Sequence, residues 1–191
     1  KKVTELKQPL DCREVIVRTQ QAPAGQMITA AMLSVARTQP VCALLNGGSI
    51  RVDDVLSGTL TELDVVRMLP FGGGLSEVEM KGSLLRKTLD AGWSNHGNGG
   101  YLHWAGVKRD EEKKQWLVGD KILDDAMVYR VILPDFLLTG NEQNMAFLKT
   151  AIDADGKSSN PEIMKVVKPN AGDKSDLRND IRLALIDYLR P

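Results

Sequence analysis

The chain reads as α+β: one compact domain in which a mixed β-sheet is flanked by helices. Three observations predict this. Strand-type apolar runs and helical periodicities are mixed along the chain, without the regular strand–helix–strand alternation of a doubly wound sheet. No internal repeat and no low-complexity linker divides the sequence. At 191 residues a single core suffices, because domains near 150 residues bury roughly 70% of the surface their unfolded chain exposes.

The elements follow in order. VIVRT (15–19) has strand character, and a loop runs on through Pro23. In GQMITAAMLSVAR (25–37), Met27, Ile28, Ala31, Met32 and Val35 share one helical face, and Pro40 stops the helix. VCALL (41–45) is a continuous apolar run of buried-strand type. GTLTELDVVRML (58–69) pairs Thr61 with Asp64 in a capping-box spacing, which predicts a short helix ending at Pro70. SEVEM (76–80) alternates as a half-buried strand does. GSLLRKTLDAGW (82–93) is helical, with Ser83 as the expected cap and Leu85 and Leu89 four apart.

NHGNGG (95–100) is a loop. Strands are expected at YLHWAGVK (101–108) and QWLV (115–118), joined by the solvated charge run RDEEKK (109–114). MVYRVIL (127–133) is a strand ended by Pro134. EQNMAFLKTAI (142–152) has helical spacing, DADGKSSNPE (153–162) is loop, and MKVV (164–167) is a short strand. DLRNDIRLALIDYL (176–189) closes the chain as a helix with Leu177, Ile181, Leu185 and Tyr188 or Leu189 on one face.

Composition excludes several function classes. Lys plus Arg and Asp plus Glu are both 25, giving zero net charge, so a general nucleic-acid-binding surface is not expected. No stretch reaches the roughly 18 apolar residues of a membrane span. The opening KKVTELKQPLDCREV lacks an apolar signal-peptide core, so such a segment is expected to be absent or already removed. Cys12 and Cys42 fit no CxxC spacing; Cys42 reads as a core residue, and a Cys12–Cys42 pairing stays open. The two histidines, His96 and His103, sit in WSNHGNGGYLHW and read as surface or turn residues. Two histidines cannot supply a His-rich dinuclear site, so no metal centre is expected in this chain.

Three stretches carry candidate chemistry. In ALLNGGSIR (43–51) a strand ends in Asn46 and two glycines, with Arg51 shortly after. Glycines there permit close approach of backbone N–H groups to a ligand. A guanidinium offers a donor fork for phosphate or carboxylate, and Asn46 offers both donor and acceptor. The same letters fit an ordinary Gly-Gly turn with a surface arginine. MLPFGGGL (68–75) and ILPDFLLTGNEQN (132–144) each place a phenylalanine, Phe71 or Phe136, shortly after a proline that ends an apolar run. Rings at loop edges stack on nucleobases, each contact being worth about 1–3 kcal/mol; rings plugging the core at strand ends fit the pattern too.

Together these stretches resemble the C-terminal, substrate-binding domain of the 5′-nucleotidase family, which includes UDP-sugar hydrolases and 2′,3′-cyclic-nucleotide phosphodiesterases. The resemblance runs in order from VRTQQAPAGQMITAAM through LLNGGSIR, GTLTELDVVRMLPFGGGLSEVEMKGSLL and VYRVILPDFLLTG to the last helix. It implies that Phe71 and Phe136 sandwich a base, that Arg18 and Arg51 contact phosphate, and that Asn46 and Gly48 belong to the same nucleotide site. The family binds ribose through an acidic residue in a Gly-Gly-Asp-Gly-type loop; here the loop reads TGNEQN, and Glu142 is the nearest match. Two further departures are Ala30, where the family commonly has Asp, and QQAPAG, which lacks the usual Glu and Asn.

The resemblance also implies that residues 1–191 are the substrate-recognition domain of a longer enzyme. Its separate N-terminal metallophosphatase domain, absent from this sequence, would hold two divalent metal ions. SNHGN (94–98) matches that domain's Gly-Asn-His-Glu/Asp motif in letters only, since no acid follows His96. The expected reaction is hydrolysis of nucleoside 5′-phosphates to nucleoside and phosphate, with a periplasmic or extracellular location. The altered TGNEQN loop and Ala30 also fit a rival, a non-catalytic ligand- or protein-binding module derived from this domain.

Overall fold

The computed structural model describes residues 1–153 and 157–190; the expected loop over 153–162 includes 154–156, which lie outside the described residues. In chain order the elements begin with β1 (Lys2–Glu5), β2 (Leu10–Asp11), α1 (Glu14–Val17), α2 (Pro23–Ser34), β3 (Cys42–Asn46), β4 (Val55–Leu56) and β5 (Thr59–Thr61). Then come α3 (Glu62–Met68), β6 (Leu75–Lys81), α4 (Gly82–Ser94), β7 (Leu102–Ala105), β8 (Val107–Asp110), β9 (Gln115–Val118) and β10 (Lys121–Ile122). The chain ends with β11 (Val128–Pro134), β12 (Ile163–Val167) and α5 (Ile181–Leu189).

The organising layer is a five-stranded mixed sheet in the order β12-β6-β11-β3-β7. β11 and β3 are parallel, and the other pairs are antiparallel. The sheet separates two apolar clusters. Ala43, Leu45 and Ile132 pack with α2, α3 and α5 on one face. Leu44, Val78, Met80, Val131 and Leu133 pack with α4 on the other. A β-strand sends alternate side chains to opposite faces, so β3 in a two-sided core is apolar at every position from Cys42 to Leu45, as VCALL predicts.

Elements whose ends carry local chemistry form as expected. Pro23 sits at the start of α2, where its missing N–H costs nothing. Thr61 and Asp64 form the capping box of α3, with each side chain bonding the other's backbone N–H. β11 covers the predicted run except Met127 and takes in Pro134 as its last paired residue. Cys12 and Cys42 are buried and free, so they do not pair.

Several expectations are corrected. VIVRT is no strand: α1 occupies most of it, because the Asp53 carboxylate accepts the Glu14 N–H at 2.7 Å and starts a helical turn. The expected helix over 142–152 is reduced to a 3-10 turn at Ala146–Leu148. Asn144 there takes φ +59°, and the Phe147 carbonyl accepts from the side chain of Asn160 at 2.9 Å. α2 ends at Ser34, ahead of Pro40, because Glu77 accepts the N–H groups of Arg37 and Thr38 at 2.9 and 2.6 Å.

SEVEM is not half-buried; Ser76, Glu77 and Val78 are all inaccessible, and Glu79 alone of the five is partly exposed. Ser83 does not cap α4. Lys81 occupies that position without a side-chain bond, and Ser83 Oγ donates to Glu162 instead. YLHWAGVK is two strands, split at Gly106 (φ +85°), where a Cβ would lie 2.0 Å from the Val41 carbonyl oxygen. β7 joins the main sheet, while β8 joins β9 and β10 in a small one. The last helix begins only at Ile181; Tyr188 is exposed.

Candidate functional site

The sheet topology brings distant loops to one end. β3 and β11 run parallel, so their C-terminal ends, Asn46 and Pro134, point the same way. Leu75, the start of β6, pairs with Pro134, and Leu102, the start of β7, pairs with Asn46. The four segments adjoining these ends surround a cleft of about 440 Å³. All seven candidate residues line it: Arg18, Asn46, Gly48, Arg51, Phe71, Phe136 and Glu142. Sequence reasoning missed other lining residues, including Ser49, Leu69, Gly99 and Ile181. Gly99 lies in the conspicuous GNGG run, whereas nothing in the last helix marks Ile181 as facing a cleft.

The two glycines of NGGSIR do not offer free N–H groups. Gly47 N donates to the Tyr101 carbonyl and Gly48 N to the Gly99 carbonyl, both at 2.7 Å. A Cβ at Gly47 would stand 2.5 Å from the Val17 carbonyl oxygen, and one at Gly48 would stand 3.1 Å from Gly99. Side chains are missing here because three backbone segments converge. That convergence delivers Arg18, Asn46 and Gly99 to one cleft.

Asn46 is buried and fixed at both ends of its amide. Its Nδ2 donates to Glu142 Oε2 at 2.6 Å, and its Oδ1 accepts from Ser49 Oγ at 2.7 Å. Glu142 is half-buried, with its other oxygen accepting from the N–H of Gln143 at 2.8 Å. An amide carries two donor hydrogens and two acceptor lone pairs, so Asn46 keeps one of each.

The arginines differ in their holds. Arg18 follows α1, its guanidinium pairs with Glu14, and its Nε is buried without a hydrogen-bond partner. Arg51 is exposed; its N–H donates to the Met68 carbonyl at 3.0 Å, and its guanidinium carbon stands 5.9 Å from the Phe71 ring centroid. That distance is at the outer edge of cation–π contact.

The phenylalanines are not core plugs. Phe71 is 72% exposed and Phe136 46%, a large water-facing apolar area beside a cleft. Phe136 sits in a 3-10 turn at Asp135–Thr139. Its neighbour Asp135 accepts from Ser76 Oγ, and the Asp135 N–H donates to the Gly74 carbonyl at 2.9 Å, stitching the two phenylalanine loops together.

His96 is exposed, as expected. His103 is not a surface or turn residue: it is fully buried on β7, its Nε2–H donating to the Val17 carbonyl at 2.8 Å. Burial pulls its pKa from 6.5 down to about 4, against the opposing pull of that bond. The imidazole is thus neutral near pH 7, and it holds the carbonyl immediately before Arg18. Among the described residues no three His, Cys, Asp or Glu side chains gather in a way that holds a metal ion. Nor is any helix among them long and apolar enough to cross a membrane.

Comparison with known proteins gives this geometry a family. The model described as "5′-nucleotidase, C-terminal domain" matches residues 2–150. The 5′-nucleotidase of Vibrio cholerae is 30% identical over 131 residues, covering 66% of this chain and 23% of that protein. The human 5′-nucleotidase is 32% identical over 122 residues, covering 52% of this chain and 21% of its own. The chain therefore spans a quarter or less of the length of the curated relatives it matches. The crystal structure of a 5′-nucleotidase precursor from Thermus thermophilus covers 100% of this chain with a TM-score of 0.76 at 24% identity, using 36% of that chain; at this identity the likeness bears on fold alone. With residues 2–150 matched, this chain belongs to the 5′-nucleotidase C-terminal domain family.

Proposed function

We propose that the domain is the nucleotide-recognition part of a 5′-nucleotidase-like phosphohydrolase. The observation that carries the reading is the pair of exposed rings, Phe71 and Phe136, on a single cleft that Arg18 and Arg51 also line. The rings take the two faces of a base, which favours no particular base because each has a π-face. Arg18 and Arg51 hold phosphate oxygens, for which a guanidinium is a shape-matched donor. Asn46, fixed by Ser49 and Glu142, presents its free N–H and lone pair to the base edge, and the Glu142 carboxylate accepts from ribose hydroxyls.

This domain supplies orientation and does not itself break the phosphate ester. Two divalent ions, which the family resemblance assigns to a separate N-terminal metallophosphatase domain, supply an activated water and neutralise charge on the phosphoryl group when bound. Among the described residues, those lining the cleft include one carboxylate, Glu142, and no histidine, a donor set suited to binding substrate. The parent protein's reaction is then hydrolysis of nucleoside 5′-phosphates in the periplasm or outside the cell, a location that rests on the resemblance.

Calorimetric titration of the chain with AMP and with adenosine, alongside Phe136→Ala, tests the reading. Saturable binding weakened about tenfold in the variant is expected, from a lost stacking contact of about 1–3 kcal/mol. Tighter binding of AMP than of adenosine assigns the difference to the arginines. Wild-type affinity in Phe136→Ala would sink the clamp. No binding at millimolar ligand would favour the non-catalytic module.

A further inference from the structure

The rim that carries Phe71 sets its own shape only in part, through a turn in which Gly72 N donates to the Leu69 carbonyl at 3.1 Å. Gly72 and Gly73 follow the ring at φ +58° and +98°, left-handed backbone that glycine enters freely and leaves as freely. Asp135 holds one end of the rim at Gly74, and the last helix supplies a further hold. Ile181 N donates to the Gly73 carbonyl at 3.0 Å, and Ile181 itself lines the cleft. Arg182 lies so close to Gly72 that a Cβ there would meet Nη2 at 2.6 Å and Cζ at 2.8 Å. A side chain at position 72 is disfavoured by the φ, and it would also displace the guanidinium from its place against the backbone.

Arg182 is itself fixed. Its Nε donates to both oxygens of Asp180 at 3.0 Å and its Nη2 to Oδ2 at 2.5 Å, a two-pronged grip. Asp180 also caps α5 by accepting the Arg182 N–H at 2.9 Å. Behind them, Ile181, Ala184 and Leu185 anchor α5 in the core shared with α2. A partly exposed ion pair of this kind adds little stability, typically under about 1 kcal/mol. What it does supply is a planar group held at a fixed place against two glycines whose backbone has no side chain to stiffen it. These residues lie beyond the family match at 2–150.

We infer that the Asp180–Arg182 pair is a positioning device for Phe71, through which the last helix sets how tightly the cleft stacks a base. The inference rests on the reading of Phe71 as a stacking ring. Adenosine is titrated calorimetrically into the full 191-residue chain, comparing wild type, Phe71→Ala, Arg182→Ala, Asp180→Asn and the double variant Phe71→Ala/Asp180→Asn. Asparagine caps helices as well as aspartate does, so Asp180→Asn keeps α5 in place while removing the charge and the Oδ2 acceptor that grip the guanidinium. It reports even where Arg182→Ala folds poorly.

Phe71→Ala is expected to weaken adenosine about tenfold and Asp180→Asn about threefold. The double variant should be no weaker than Phe71→Ala alone. A general loosening of the fold would lower affinity in both backgrounds, so this non-additivity separates positioning from a merely structural role. Asp180→Asn at wild-type affinity, or effects that multiply in the double variant, would overturn the inference while leaving the stacking reading intact. No adenosine binding by the wild type, or wild-type affinity in Phe71→Ala, would overturn the stacking reading and the inference with it.

Discussion

Gly25 and His103 compete for one volume. A Cβ at position 25 would stand 2.1 Å from His103 Nδ1 and 2.2 Å from Cγ, and the ring is fully buried. Gly25→Ala should therefore cost about 1–3 kcal/mol of overpacking, read as a lower urea midpoint. It should also loosen the Val17 carbonyl that precedes Arg18 and narrow the preference for AMP over adenosine. An unchanged midpoint would show that the ring yields more easily than its burial implies. Legibility at this scale depended on neighbours in sequence. Phe71 and Phe136 stood out because a nearby proline ends the run before each, so both mark loop edges. His103 did not, because Tyr101, Leu102, His103 and Trp104 are all buried, and a strand covered on both faces shows no alternation from which to tell its inward side.

The elements that sequence predicted well carry their own instructions at their ends. α3 is the clearest, since Thr61 and Asp64 close a capping box within four residues. The end of α3 leads directly into Phe71, and the Met68 carbonyl holds the Arg51 N–H, so this short helix places two cleft residues. Thr61→Ala removes the side-chain acceptor for the Asp64 N–H and should cost about 1 kcal/mol, within the usual range for a lost N-cap. Urea unfolding monitored by circular dichroism checks it, and a change below a few tenths would show that tertiary contacts alone hold α3. Where sequence misled, a distant partner had captured the backbone. VIVRT has strand composition, yet Asp53 starts a helix there across 39 residues of sequence. Residues 142–152 have helical spacing, yet Asn160 takes the Phe147 carbonyl. No local pattern encodes either bond.

Across the whole molecule, the least legible feature is a buried charge network, because its members are spread from residue 37 to residue 178. Arg178 Nη1 meets Glu77 Oε1 at 2.6 Å and Nη2 meets Asp176 Oδ2 at 2.8 Å, with all three side chains nearly inaccessible. Glu77 also takes the N–H groups of Arg37 and Thr38. One carboxylate thus joins β6 to the segment that follows α2 and to the segment leading into α5. Burial alone would raise the Glu77 pKa, but the bonds from Thr38, Arg37 and Arg178 outweigh it and hold it below 4.5. Asp176 is held well below 3.8, first by its hydrogen bond from Arg178. His103 adds a second, separate dependence on pH. Unfolded, it takes a proton near 6.5; folded, it resists until about 4. Between those values the unfolded state binds more protons, so stability rises with pH across the window and is lost on acidification, by on the order of 3 kcal/mol. The two carboxylates act lower, their contribution present above their ordinary values and lost as pH falls below about 4.5. Urea unfolding from pH 7 to pH 3 should accordingly show stability falling in two stages. His103→Gln, whose amide still donates towards Val17 but does not titrate, should abolish the upper stage and leave the lower one. If the variant kept both stages, the upper one would belong to groups other than His103, and the neutral imidazole would lose its place in holding the carbonyl before Arg18.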